Sequence, residues 1–235
     1  MADKTLLIVE SPAKARTIKK YLGQKYMVEA SVGHVKDLVS FRLGVDVNKD
    51  FEPKYQTIRG KGPILKKLRD LAKKTQSVMI ATDPDREGEA IAWHIAEDLK
   101  SRNSDINRVL FNEITKKGVK EGLKKPMPIN EQLFKSQQAR RIMDRLIGYK
   151  VSPLLSSAML KKTSESLSAG RVQSVALRLI CERDAEIKAF KPIEYWSIQG
   201  FFKTEDQKNV EARLVKFDGK NIKNTEGSTE ANNEE

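Results

Sequence analysis

Cysteine is nearly missing from this sequence: Cys181 stands alone, so no disulfide can form within the chain. Histidine is almost as scarce, and His34 with His94 cannot build a Cys-rich zinc site. A reducing, cytoplasmic location fits both shortages. No apolar stretch approaches the roughly 20 residues that a bilayer span requires, so the chain is not expected to cross a membrane. Asp3 precedes a short apolar run at residues 6–9 and no cleavage-site pattern follows, so no secretion signal is expected. Acidic side chains are also in deficit, 32 against 44 basic ones, which leaves a net charge of +12 and a pI near 9.6. That surplus favours a polyanionic partner, nucleic acid first, although a basic solvated surface accounts for the charge equally well. With 235 residues, 39% of them hydrophobic, the chain can bury a core as one large domain or two smaller ones.

Residues 5–9 are leucine-rich and β-branched, and Ser11-Pro12 then supplies an N-cap and a first-turn proline, so the opening reads as strand, tight turn and helix. Further extended runs at 26–32, 78–82 and 108–111 alternate with helical stretches, one of them at 87–99. Between them Pro63 opens a helix with Ile64, Leu68 and Leu71 at helical spacing and Lys66, Lys67, Arg69, Lys73 and Lys74 elsewhere, a basic face best read as solvated. Alternation of this kind predicts an α/β fold, a parallel sheet with helices on both faces, and such sheets bind ligands at the carboxyl ends of strands. Glu10 and Asp83 stand at two such ends. After Pro126 and Pro128 the pattern turns helical, at 131–149 and 170–188, with Val172, Val175, Ala176 and Leu179 expected to face a core. Apolar alternation from Tyr195 to Phe202 and from Val210 to Phe217, with Asp218-Gly219 as a turn, predicts a β-hairpin or the first strands of a further unit. The expected division is 1–120, an acid-centred domain; 121–192, a mainly helical domain; 193–223, a β-rich segment; and 224–235, a polar, disordered tail.

Asp83-Pro84-Asp85-Arg86-Glu87-Gly88-Glu89 follows a strand and precedes a helix. In an extended loop Asp83, Asp85 and Glu87 point to one side, where their charges repel unless a cation intervenes. Magnesium (Mg2+) suits carboxylates, retained waters and a substrate phosphate. Alternatively, these acids only cap the next helix. Glu10, at the end of the first strand, adds a fourth carboxylate if the strands are neighbours, and one held among like charges can give up and regain a proton. Lys14, near the first turn of the next helix, offers charge to a phosphate or is an ordinary surface lysine. Farther on, Gln138, Arg141 and Arg145 share a helical face that can follow a phosphate backbone, while Arg140 and Asp144 are spaced for an intrahelical pair. Ser168 is a plausible N-cap, with Gly170 and Arg171 behind it.

Leu7-Ile8-Val9-Glu10-Ser11-Pro12-Ala13-Lys14-Ala15 and Ala81-Thr82-Asp83-Pro84-Asp85-Arg86-Glu87-Gly88-Glu89-Ala90-Ile91-Ala92-Trp93-His94 resemble the Toprim domain of bacterial type IA DNA topoisomerases. Phe111-Asn112-Glu113-Ile114-Thr115 and Gln138-Ala139-Arg140-Arg141, with Asp144-Arg145-Leu146-Ile147-Gly148-Tyr149 and Ser152-Pro153, agree with that family. Leu167-Ser168-Ala169-Gly170-Arg171-Val172-Gln173-Ser174-Val175-Ala176 is similar to its helical DNA-binding domain. The resemblance implies a Toprim-type sheet and an isomerase that relaxes negatively supercoiled duplex DNA by magnesium-dependent, ATP-independent cleavage and rejoining of single-stranded DNA. It implies that Glu10 acts as acid and base and helps Asp83, Asp85 and Glu87 hold Mg2+, and that Lys14 and Arg86 stabilise phosphate charge. Its DNA-binding positions are His34, Arg140, Arg141, Asp144, Arg145, Ser168, Arg171, Gln173 and Ser174, in a monomeric, nucleoid-associated protein.

One element of the family is missing here. Its nucleophilic tyrosine lies in a motif with a nearby arginine and threonine, whereas Tyr21, Tyr26, Tyr55, Tyr149 and Tyr195 all lie in other contexts. The polypeptide by itself is therefore expected not to cut DNA, and a non-catalytic, single-stranded DNA-binding or regulatory protein is the alternative. Another Toprim enzyme, such as a primase or nuclease, fits poorly with the Ser-Pro-Ala-Lys run and the helical second half.

Overall fold

A computed structural model describes residues 4–159, 166–192 and 197–221. In chain order its elements are β1 (Thr5–Val9), α1 (Pro12–Tyr21), β2 (Tyr26–Ala30), β3 (Lys36–Leu38), β4 (Val45–Asp46), β5 (Glu52–Pro53) and β6 (Tyr55–Thr57). They continue with α2 (Gly62–Ala72), β7 (Ser77–Ala81), α3 (Arg86–Leu99), β8 (Ile106–Arg108), α4 (Lys116–Leu123), α5 (Glu131–Met159) and α6 (Arg171–Ala189). The last strands are β9 (Gln199–Lys203), β10 (Asn209–Arg213), β11 (Lys216–Phe217) and β12 (Lys220–Asn221). The chain divides into two compact units, Met1–Ser174 and Val175–Glu235.

In the first unit a four-stranded, all-parallel sheet runs in the order β2-β1-β7-β8. Strand β1 is buried along its whole length because the pleat sends alternate residues into two separate cores. Leu6 and Ile8 join Leu65 and Leu68 of α2 and Ile91 and Ile95 of α3. Leu7 and Val9 join Ile18 of α1 and Val119 of α4 on the opposite face. Helices therefore cover both faces, and an uninterrupted apolar strand is what such a sheet requires. As the sequence predicts, Ser11 caps α1, its side chain accepting from Lys14 N, with Pro12 in the first turn.

The chain leaves β1 through α1 to reach β2 on one side, while β7 lies on the other. The connections diverge between β1 and β7, and in a doubly wound sheet that divergence opens a crevice beyond the strands' carboxyl ends. Val9 pairs with Ala81, so Glu10 and Asp83 leave the sheet at nearly the same level. Helix α5 packs on α3, where Phe134 stacks on Trp93 with ring centres 4.0 Å apart. His94 is buried beside them, edge-on to Tyr55 and Phe134.

The structure departs from the sequence pattern at the last strand of the sheet and along α6. The last strand of the sheet spans Ile106–Arg108 rather than 108–111, because the pairing of Val78 to Ile80 fixes its register; Val109 and Phe111 are buried just beyond it. Val172, Val175, Ala176 and Leu179 are exposed, and α6 buries none of its residues. Periodicity marks an amphipathic face without specifying what covers it.

The second unit contains the antiparallel pair β9–β10 and the short pair β11–β12, joined by the Asp218-Gly219 turn with positive φ at both residues. That conformation makes Asp-Gly the turn signal it is. The expected strand start at Tyr195 and the tail at 224–235 lie outside the described residues.

Candidate functional site

At the mouth of the crevice Lys14 Nζ donates to both Glu10 Oε1 and Asp83 Oδ1. One carboxylate leaves β1, the other follows β7, and α1 delivers the ammonium between them, so three segments distant in sequence meet at one point. All three side chains keep some contact with solvent, Asp83 most of all at 49% exposure. Burial alone would lower the Lys14 pKa; its bonds to Asp83 and Glu10 outweigh that and raise it. Asp83 is held below the usual carboxylate value, first by a hydrogen bond with Glu10 and then by Lys14. The lysine therefore stays charged and Asp83 stays ionised across the neutral range.

The other acids of the loop point elsewhere. Asp85 Oδ1 accepts from Gly88 N at 2.7 Å and caps α3, the capping alternative raised by the sequence, which leaves its second oxygen at the rim. Glu87 turns toward α5, accepting from Gln137 Nε2 at 3.1 Å, with His34 Nε2 3.4 Å away. Arg86 is exposed on the first turn of α3. Among the described residues no three acids or histidines converge as a ready metal cage. The donor set nonetheless fits a hard cation that keeps most of its waters, since magnesium takes one or two carboxylates and completes its shell with water and phosphate oxygens.

What holds Asp83 in place was invisible in the sequence. Arg108, 1% exposed, donates from Nη2 to Asp83 O at 2.8 Å and from Nη1 to Ile80 O and Val109 O, both at 2.9 Å. Its Nε binds Glu89 Oε2 at 2.9 Å, and Glu89 Oε1 accepts from Asn130 N at 2.6 Å, at the start of α5. This buried pair is fully hydrogen-bonded, the condition under which such a pair survives in an apolar interior. Gly88 fits the same loop closely, for a Cβ there would lie 2.1 Å from Asp83 O. An isolated arginine in an extended run carries no signal of this role, because its partner lies 19 residues earlier on a helix.

Two of the three arginines of α5 are engaged within the chain. Arg141 forms a two-pronged bond to Asp37 at 2.9 and 2.6 Å, which holds that carboxyl below its ordinary pKa against the opposing effect of burial. Arg145 is 9% exposed and binds Val39 O at 2.7 Å and Arg42 O at 3.2 Å. Gln138 binds the Tyr55 hydroxyl at 3.3 Å. Asp144 pairs with Arg171 at 2.7 Å rather than with Arg140. Among the described residues Arg140 has no carboxylate partner and faces an open groove with His34, Glu87, Gln137 and Asp144. Ser168 Oγ accepts from Gln173 Nε2 at 2.9 Å, and the first helical bond of α6 runs from Ser174 N to Gly170 O, so Ser168 lies outside that helix.

Residues 5–114 match the Toprim domain family and residues 128–234 match a family described as DNA topoisomerase. The solved full-length topoisomerase I from Thermotoga maritima is 42% identical, with a TM-score of 0.70 over 93% of this chain. The chain belongs to the bacterial type IA DNA topoisomerase family. It spans 36% of the length of the Thermotoga topoisomerase. The two family matches meet near the start of α5, where Glu89 of the sheet domain binds Asn130.

Proposed function

We propose that this chain forms the acidic centre and part of the DNA path of a type IA topoisomerase, an isomerase that relaxes negatively supercoiled duplex DNA by passing one strand through a transient break in the other. The convergence of Glu10, Lys14 and Asp83 at the switch point of the sheet supports this reading most directly. Magnesium would be held by one or two carboxylates of the set Asp83, Asp85, Glu87 and Glu10, and when bound it supplies positive charge to a phosphate. As a tyrosine oxygen bonds to phosphorus and its proton passes to solvent, the bond to the deoxyribose oxygen breaks and Glu10 gives that oxygen a proton, which it takes back on rejoining. Lys14, already charged and fixed between two carboxylates, turns toward the phosphate as charge builds there, and Arg86 approaches from the first turn of α3. Because the linkage to tyrosine keeps the energy of the broken phosphodiester, no ATP is needed.

The attacking tyrosine is not among the five in this sequence, so the 235-residue chain is expected to bind DNA without relaxing it. Binding is assigned to the surface that holds His34, Arg140, Arg141, Asp144, Arg145, Ser168, Arg171, Gln173 and Ser174, where Arg140 is left to meet a phosphate and Arg141 and Arg145 shape the surface from within, with residues 1–120 as the acid-centred domain and 121–192 as the helical one. The partner is single-stranded DNA, bound by a monomer at the cytoplasmic nucleoid. In an anisotropy titration with a labelled single-stranded oligonucleotide, affinity should fall by about 0.7 log units per log unit of salt for each phosphate neutralised. Binding that ignores salt rules out phosphate contact, and magnesium-dependent relaxation of supercoiled plasmid by the purified chain rules out the missing-nucleophile reading.

A further inference from the structure

Residues 39–44 form a small turn fastened at both ends to Lys54: Val39 N donates to Lys54 O at 3.1 Å, and Lys54 N donates to Gly44 O at 2.8 Å. Gly44 closes it at φ +71°, where a Cβ would sit 2.9 Å from the Val39 side chain. Helix α5 then grips the turn by its carbonyls. Arg145 holds those of Val39 and Arg42, and the Tyr149 hydroxyl donates to Ser40 O at 2.7 Å. The backbone on both sides of Phe41 is tied down, at Val39, Ser40, Arg42 and Gly44, yet Phe41 itself is 88% exposed, the most exposed large hydrophobic side chain among the described residues.

A single exposed apolar residue ordinarily needs no explanation. An immobilised one differs, because a ligand that stacks on it pays no cost for ordering the loop. Charge identifies the ligand. Arg42 follows Phe41 and is exposed, and Lys150, exposed as well, follows the Tyr149 that holds the turn. Phe51 on the neighbouring β4–β5 hairpin is 45% exposed but stands between Asp50 and Glu52. The same ring thus occurs in a phosphate-attracting and a phosphate-repelling setting.

We propose that Phe41 is a stacking platform for an unpaired DNA base, with Arg42 and Lys150 holding the adjoining phosphates. The assignment rests on the single-stranded DNA partner proposed above and adds a contact point to it. Aromatic rings stack on any base, so the platform orders the strand without reading its sequence.

The test is an anisotropy titration of a labelled oligo-dT and of the same backbone carrying abasic sites, using the full 235-residue chain, Phe41→Ala, Phe41→Trp and Phe51→Ala. Phe41→Ala should weaken oligo-dT binding by about 5- to 150-fold, the loss of one stacked base. Phe41→Trp should retain affinity, Phe51→Ala should stay within about twofold of the parent, and Phe41→Ala should match the parent on the abasic strand. The salt dependence of Phe41→Ala should be unchanged, since no cation is removed, and an unaltered urea midpoint shows that the turn remains folded. If the parent binds and Phe41→Ala binds oligo-dT equally well, or loses as much on the abasic strand, the platform is wrong. If Phe51→Ala is as damaging, the effect is one of general apolarity and the proposal again fails. A parent that binds no single-stranded DNA removes the partner and this contact together.

Discussion

The rim of the sheet and the outer face of α5 are both dense in charge, but the charge has different partners in each. At the rim, Lys14 bridges two carboxylates that remain open to solvent, while the shaping is done from beneath by the buried Arg108–Glu89 pair. On α5, Arg141 and Arg145 are themselves the shaping groups, bound to Asp37 and to backbone carbonyls, and Arg140 is left facing the groove. Residue type therefore marks where charge is concentrated. Which charge meets a ligand depends on which neighbours have already satisfied it.

Arg108→Met leaves Glu89 buried without a counter-charge and should cost about 3–5 kcal/mol in a urea denaturation of the chain. A loss below about 1 kcal/mol, the scale of a surface pair, would mean that the rim is not held from beneath.

Acid should separate the two regions next. His94 lies in the α3–α5 seam with its pKa pushed down to about 4, chiefly by burial, then by Lys36 and His34. A depressed histidine is neutral when folded and takes up a proton on unfolding, so its stabilisation is complete above about pH 6.5 and fades as pH falls toward 4. The decline should reach about 3 kcal/mol, and His94→Phe should flatten that part of the stability profile. The bridge at the rim behaves otherwise: Asp83 is depressed and Lys14 raised, so it persists through this window and fails only below the ordinary Asp value or above the ordinary Lys one. A slope unchanged in His94→Phe would assign the acid sensitivity to other groups.

Arg141→Ala should lower stability by only about 0.5 kcal/mol, because the pair with Asp37 is more than a third exposed and screened. Arg140→Ala should leave stability unchanged but remove one phosphate from the salt dependence of oligonucleotide binding, about 0.7 log units. The reverse pattern in the two variants would exchange their roles.

Much of the rim was legible in the sequence, since β1 is apolar from Leu6 to Val9 and Ser11-Pro12 states where the strand stops and the helix begins. Glu10 and Asp83 could be placed at strand ends from local pattern alone. Their meeting through Lys14 depends on β1 and β7 being neighbours, and the order β2-β1-β7-β8 is not written in any short stretch. Asp85 and Glu87 show the limit of spacing arguments. Alternate residues of an extended loop point together, but Asp85 ends the extension by capping α3, and Glu87 then belongs to the helix. On α5 the helical period correctly placed Gln138, Arg141 and Arg145 on one face, and their partners at 37–42 and Tyr55 were hidden about a hundred residues away. Arg108 was hidden although its carboxylate partner is only 19 residues earlier, because that partner lies on a helix.

Glu10, Lys14 and Asp83 meet at one point of the carboxyl rim, the proposed magnesium-dependent phosphate site. Isothermal titration with Mg2+ of the chain and of its Asp83→Asn, Asp85→Asn variant tests it most directly. Saturable binding by the chain that disappears in the folded variant is the expected result, and equal binding by both would contradict it.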